Sequence, residues 1–155
     1  MDSWLQDNSH IRSVTTAVAD LNGQARGKRM PSGFGQKALD GKTRMPLSVL
    51  NVDIWGDDIE DSPLVFESGD RDGVLKPTER GFVPTPWLST PSALLPMWMY
   101  TDAGEPFGGD PRHALKLVLD RYADRGWTVM AATELEFYLL KTKISQVVFS
   151  SLRLL

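Results

Sequence analysis

Between residues 77 and 96 the chain carries prolines at 77, 84, 86, 91 and 96. Proline fixes φ and removes a backbone donor, so this density forbids a helix and excludes a central strand over that span. The stretch reads as an extended connector crossing a surface. On its N-terminal side the signals are those of β-structure. "SVTTAVADLNGQARGKRMP" supplies β-branched residues, a turn at Asn22-Gly23 and a return strand toward Met30, the pattern of a hairpin. A short helix turn is expected over residues 2 to 8, and "SGFGQKALDG" predicts one or two helical turns from Ser32 to a stop at Gly41. Strands are predicted in "LSVLNVDIW", in the short pieces "LVFESG" and "GVLKP", and in "ALLPMWMYT", which is apolar on both faces.

The second half holds the best-specified element. Asp110 is placed as N-cap and Pro111 at the first helical position, with Ala114, Leu115, Val118, Leu119 and Tyr122 on one stripe and Gly126 after the last turn. These residues specify a helix of about four turns. "WTVMAATELEFYLL" then reads as a strand in which Glu134 and Glu136 share a face, with carboxylates roughly 6–7 Å apart. Two accounts fit that pair. Either the face is wet and both glutamates are exposed, or both converge on a hard divalent cation that removes their repulsion.

Composition narrows the chemistry. Among 155 residues 41% are hydrophobic and 24% charged, which is ordinary for a globular chain. A formal net charge of −3 gives no general basic field, and "RGKR" at 26 to 29 is the one short basic run, so nucleic acid is not an expected partner. No cysteine is present, which removes disulfides, thiolate metal sites and a cysteine nucleophile. No stretch approaches the roughly 18 apolar residues of a membrane span. A cytoplasmic protein that engages no membrane is expected. "GFGQKA" matches the letters of a dinucleotide fingerprint but follows Pro31-Ser32 in place of a strand, and is better read as a helix entry. "DRDGVLKPTE" has its glycine and an apolar Val74 at the wrong places for a calcium loop. His10 and His113 lack partners at metal-ligand spacing and read as solvated or hydrogen-bonded.

Five segments taken in order carry more than any one of them. "VADLNGQARGKRMP", "LSVLNVDIWGDDIED", "GDRDGVLKPT", "MYTDAGEPFGGDPRH" and the run from Asp110 through "ATELEFYLL" resemble successive parts of the glutamine synthetase family, in its γ-glutamylpolyamine (γ-glutamylputrescine) synthetase branch. The likeness covers about residues 11 to 140. It implies an α+β fold: a β-grasp N-terminal domain over 1–104, the opening helix and strand of a catalytic domain over 105–140, and a tail over 141–155 that departs from the family.

The resemblance also implies a reaction. In the family ATP phosphorylates the side-chain carboxylate of glutamate, and an amine or ammonia displaces phosphate to give a γ-glutamyl amide. It implies that Glu134 and Glu136 are ligands to Mg²⁺ or Mn²⁺. Asp53 would help bind the incoming amine in a neighbouring subunit's site, and Asp72 would be a second acidic residue there, with Asp57 as the substitute on that loop. A homo-oligomer is implied too. Because the nucleotide-gripping residues and remaining metal ligands have no counterpart here, a truncated or frame-shifted relative, inactive alone, is expected. The alternative is a non-catalytic β-grasp assembly module. The tail "VVFSSLRLL" is apolar, β-prone and nearly uncharged, so self-association through residues 127 to 155 is expected, and light scattering across micromolar concentrations should show masses above the monomer.

Overall fold

The computed structural model describes residues 3–137. A short helix α1 (Ser3–Asp7) precedes the hairpin of β1 (Ser13–Ala19) and β2 (Ala25–Pro31). A 3-10 turn at Ser32–Phe34 leads into α2 (Gly35–Leu39), then come β3 (Thr43–Pro46), β4 (Asp72–Pro77), the two-residue β5 (Val83–Pro84), β6 (Ser92–Tyr100) and helix α3 (Pro111–Ala123). The strands form one mixed sheet in the order β2-β1-β6-β4-β3, with β5 beside β6. Only the β1–β6 pairing is parallel; the others are antiparallel.

Alternation along the strands sorts the two faces. Ala93, Leu95, Met97 and Met99 of β6 point into the core with Val14 and Val18 of β1 and Leu75 of β4. Leu5 of α1, Ala38 of α2, Leu47, Leu50 and Phe82 complete that cluster. The opposite face carries Leu94, Trp98 and Tyr100, all half-buried. Lys76 reaches over the Tyr100 ring at 4.0 Å.

The hairpin forms where its turn residues predict, and its closure rests on Asp20. One carboxylate oxygen of Asp20 accepts from the backbone N–H of Asn22 and of Gln24, each at 2.8 Å, and the other from Arg26 Nε at 2.8 Å. Gly23 sits at φ +75°, the left-handed region a turn of this kind needs. Gly27 is required for a different reason. A Cβ there would collide with the Thr16 carbonyl oxygen on β1.

Helix α3 also forms as its caps dictate. Asp110 Oδ1 accepts from Arg112 N at 2.9 Å, Pro111 takes the first turn, and Gly126 lies at φ +71° beyond the end. Its apolar stripe is another matter. Leu115, Val118, Leu119 and Tyr122 are exposed, as is Ala114, and His113 is the one buried residue of the helix. No other described element covers that stripe.

Several expected elements shift. The strand predicted in "LSVLNVDIW" lies upstream, at Thr43–Pro46, and Leu47–Leu50 is a 3-10 turn. There Leu47, Ser48 and Leu50 are all buried, a pattern that suits a tight turn pressed on the core and that a strand with one solvated face cannot give. "LVFESG" is a series of turns around Ser62, whose carbonyl accepts from Val65 N and Phe66 N, not an extended piece. Pro96 lies inside the central strand β6, at the last residue paired with β1. Its carbonyl accepts from Thr78 N where β4 ends and residues 79–82 bulge before β5 resumes the pairing, so the missing N–H interrupts no ladder. The strand expected from Trp127 onward is absent over residues 127–137, which pair with no described strand and are exposed; the remainder of that expectation, and the tail, lie outside the described residues.

The N-terminal end of α3 is fastened to β6 through one peptide. Met99 N donates to Asp110 Oδ2 at 2.8 Å, and the Met99 carbonyl accepts from His113 Nε2 at 2.9 Å and from Phe107 N at 3.0 Å. Asp110→Ala is expected to lower stability by about 2–4 kcal/mol, through loss of the cap and of the acceptor for a buried N–H. A lower urea midpoint at unchanged m-value would show it.

Candidate amine-site loop and the acidic pair

Asp53 follows the 3-10 turn and organises the loop around itself. Its Oδ1 accepts from the backbone N–H of Trp55 at 2.8 Å, Gly56 at 2.8 Å and Asp57 at 2.9 Å. Asp53 N donates to the Asp57 carbonyl at 2.9 Å, and Val52 and Asp58 form an isolated bridge. Three N–H donors stabilise the charged form, so the backbone bonds, that of Asp57 foremost, together hold the Asp53 carboxyl below the usual carboxylate range against the opposing effect of desolvation. All three bonds go to one oxygen. Among the described residues Oδ2 has no hydrogen-bond partner, so it remains available to a ligand.

The hairpin turn supports this loop from beneath. Asn22 Nδ2 donates to the carbonyls of Val52 and Asp53, each at 3.1 Å. Arg26 packs under Gly56 while its Nε is held by the buried Asp20 carboxylate. Burial pushes the Asp20 pKa up, but the Arg26 hydrogen bond and the N–H groups of Gln24 and Asn22 outweigh it and hold the carboxyl low. The sequence marks Asn22-Gly23 as a turn, and the support that Asp20, Asn22 and Arg26 give the Asp53 loop emerges from the fold. An Asp two residues before an Asn, able to accept from the backbone it precedes, was the available signal.

The other predicted residues lie apart. Asp57 is exposed and enters the loop through its backbone. Asp72 is exposed at the start of β4, paired in register with Pro46, and no hydrogen bond joins it to Asp53. Glu134 and Glu136 are exposed on the strandless segment 127–137. No group of three or more His, Asp or Glu side chains able to hold a metal ion exists among the described residues. Two carboxylates, each giving one oxygen, leave four of the six positions of Mg²⁺ unfilled, and even bidentate they leave two, so these residues do not by themselves fit the cation. The same holds for a nucleotide, for which neither the loop nor the pair offers a phosphate cradle. His113 is hydrogen-bonded within the fold, as its sequence context predicts.

The Asp53 loop has a defined response to acid. With the folded pKa depressed below the ordinary 3.8, its contribution is fully present above that value and is lost as pH falls through the folded pKa. Exchange protection of the Trp55, Gly56 and Asp57 amides should persist at neutral pH and collapse below 3.8, and Asp53→Ala should abolish it at every pH.

Residues 108–152 match the family model described as glutamine synthetase, catalytic domain, so the match runs past Leu140, where the sequence reading ended the likeness. The chain is 34% identical over 144 residues to γ-glutamylputrescine synthetase PuuA of Escherichia coli (strain K12), covering 88% of this chain and 29% of that protein. It is 34% identical over 129 residues to glutamine synthetase of Pyrococcus abyssi (strain GE5 / Orsay), covering 83% of this chain and 26% of the relative. A crystal structure of a novel glutamine synthase homolog superposes with a TM-score of 0.64 at 21% identity, over 74% of this chain and 27% of that one, which supports the mixed sheet with few helices. The chain thus spans less than a third of the length of these relatives. No helix among the described residues is long and apolar enough to cross a membrane. Agreement of this breadth, in matches that cover 83% to 88% of the chain, makes it a member of the glutamine synthetase family.

Proposed function

We propose that the chain carries the β-grasp domain (residues 1–104) and the opening of the catalytic domain (from residue 105) of an ATP-dependent ligase that joins glutamate to an amine or ammonia as a γ-glutamyl amide. The observation that carries this reading is the 34% identity to γ-glutamylputrescine synthetase across 144 residues. ATP, when bound by the assembled enzyme, makes the γ-carboxylate reactive toward an amine.

The part of this chain's own residues begins at Asp53. Its Oδ1 is pinned by three N–H groups, which fixes the direction of Oδ2. A carboxylate held ionised in this way attracts the protonated amine and takes one proton from it, freeing the nitrogen lone pair. As the C–N bond forms, the bond from the acyl carbon to the phosphate oxygen breaks, phosphate departs, and the nitrogen's second proton passes to solvent. Trp55, 82% exposed and two residues along the same loop, is an aromatic ring able to meet the same cation. Asp72 adds a second negative charge on the domain. Glu134 and Glu136 would contribute oxygen ligands to Mg²⁺ or Mn²⁺ once further ligands outside the described residues join them. Alone the chain is expected to be inactive, and a homo-oligomer would be needed to bring the Asp53 loop to a neighbour's site.

A second reading is favoured by one feature, the uncovered stripe of α3: a β-grasp module that acts by assembly without catalysis. Failure to co-purify with a full-length synthetase would count against it.

A chimera separates the readings. With residues 1–137 replacing the corresponding part of the E. coli relative, glutamate- and amine-dependent phosphate release is expected. Asp53→Asn should lower kcat/KM for the amine about 100-fold with little change in KM for glutamate. A folded but inactive chimera would sink the ligase reading.

A further inference from the structure

The two ends of the sheet path, β2 and β3, approach one another at Lys28, whose Nζ donates to the Arg44 carbonyl at 2.7 Å. Together with α2 they wall a cleft of about 310 Å³. Lys28, Arg29, Lys37, Lys42 and Arg44 line it, with Phe34 on its apolar side. Five of the chain's 17 basic residues thus contribute to the wall of one concavity, Lys28 and Arg29 from the two faces of the edge strand β2, in a protein whose net charge is −3. Only two carboxylates answer them: Asp40 pairs with Lys42 at 3.1 Å and Asp102 with Arg44 at 2.6 Å. Three positive charges are left uncompensated, and the Arg29 and Lys37 side chains make no ion pair among the described residues.

Like charges gathered on a concave surface repel one another, and an anion bound among them relieves that repulsion. A fold-stabilising role does not explain the cluster. Arg29 and Lys37 hold nothing together, and all five cationic residues are exposed. Their chemistry is that of phosphate recognition: a planar guanidinium able to take two oxygens of one phosphate, and ammonium groups that act as point charges on several. Phe34, 54% exposed at the same cleft, leaves room for a ring to stack.

We propose that the β2–α2–β3 cleft binds a compact polyanion of the di- or triphosphate class, free or carried by a nucleotide, at a site that shares no residue with the Asp53 loop or the Glu134/Glu136 pair. The ligand's charge relieves the repulsion among Arg29, Lys37 and Lys28. Binding there needs no divalent cation, because the protein supplies the positive charge.

Calorimetric titration of the 155-residue chain with inorganic triphosphate, in chelator and at low ionic strength, tests this. Saturable one-to-one binding is expected, weakened about tenfold or more in Arg29→Gln/Lys37→Gln and abolished near 1 M salt, where the screening length is about 3 Å. A control, Arg121→Gln/Arg125→Gln, removes the same charge from the end of α3 and should leave binding unchanged. No binding, or equal weakening in both double variants, would overturn the proposal. A parallel titration with ATP reads the source of the phosphate: tighter binding than triphosphate, lost in Phe34→Ala, marks a nucleotide, and equal binding marks the free anion. Because neither titration involves glutamate or amine, failure here leaves the ligase reading intact, and failure of the chimera leaves this one intact.

Discussion

The Met99 peptide is the point on which the two halves of the described chain meet. Strand β1 accompanies β6 only as far as Pro96, so the last residues of β6 have a partner strand on one side alone. A buried strand cannot leave its N–H and C=O unpaired without a cost of about 1–3 kcal/mol for each group. Asp110 and His113 meet that need with side chains, one turn apart on α3, that take the Met99 N–H and supply a donor to its carbonyl. Since a carbonyl only accepts, His113 Nε2 carries the proton. The ring is held further by Trp98, stacked at 4.8 Å, and Tyr100, edge-on at 4.9 Å. The segment "DPRH" therefore reads as a fastening of helix to sheet, with the N-cap aspartate serving both elements.

A second buried aspartate does comparable work at the other end of the sheet. Asp20 is 1% exposed and surrounded by donors: two backbone N–H groups and the Arg26 guanidinium. Removing a carboxylate from water is unfavourable, and pairing with a partly exposed arginine while filling its remaining lone pairs offsets that cost. The consequence extends beyond the hairpin, because Asn22 and Arg26 are the surfaces on which the Asp53 loop rests. The geometry of the proposed amine site thus depends on a carboxylate that cannot touch the amine.

What the sequence made legible follows from the range of the interactions involved. Helix α3 and the β1–β2 hairpin are specified by residues close in the chain: Asp110-Pro111 with Gly126, and the turn residues around Asn22-Gly23. Both appeared where expected. Strand β3 did not, because its identity depends on pairing with β4 across the intervening loop, and the apolar run downstream, Leu47–Leu50, mimics a strand while turning against the core. Pro96 misled in the same way, since a proline is harmless in a central strand at the one position where the ladders change over. Of the site residues, Asp53 sits in a loop whose three N–H bonds could be anticipated only from its fold, and the basic cleft brings 28–29 near 37–44 through a tertiary approach of β2 to β3 that no local pattern announces. The α+β class was legible, and the mixed sheet agrees with it.

The stripe on α3 carries the last step. Amphipathic helices gain stability by burying one face, and isolated helices of this length are marginal in water. This helix leaves Leu115, Val118, Leu119 and Tyr122 exposed and is tied down chiefly at its first turn, through Asp110 and His113. The sheet domain has a continuous core from Leu5 to Met99, whereas α3 presents a second apolar surface of the sort that a further packed layer covers. Segment 127–137 begins where this surface ends, with Trp127 against Tyr122 at 5.9 Å and its backbone bonded to the Tyr122 carbonyl. The stripe of α3 and segment 127–137 are contiguous through Tyr122 and Trp127, so a layer packed on the helix would also meet the segment that carries Glu134 and Glu136.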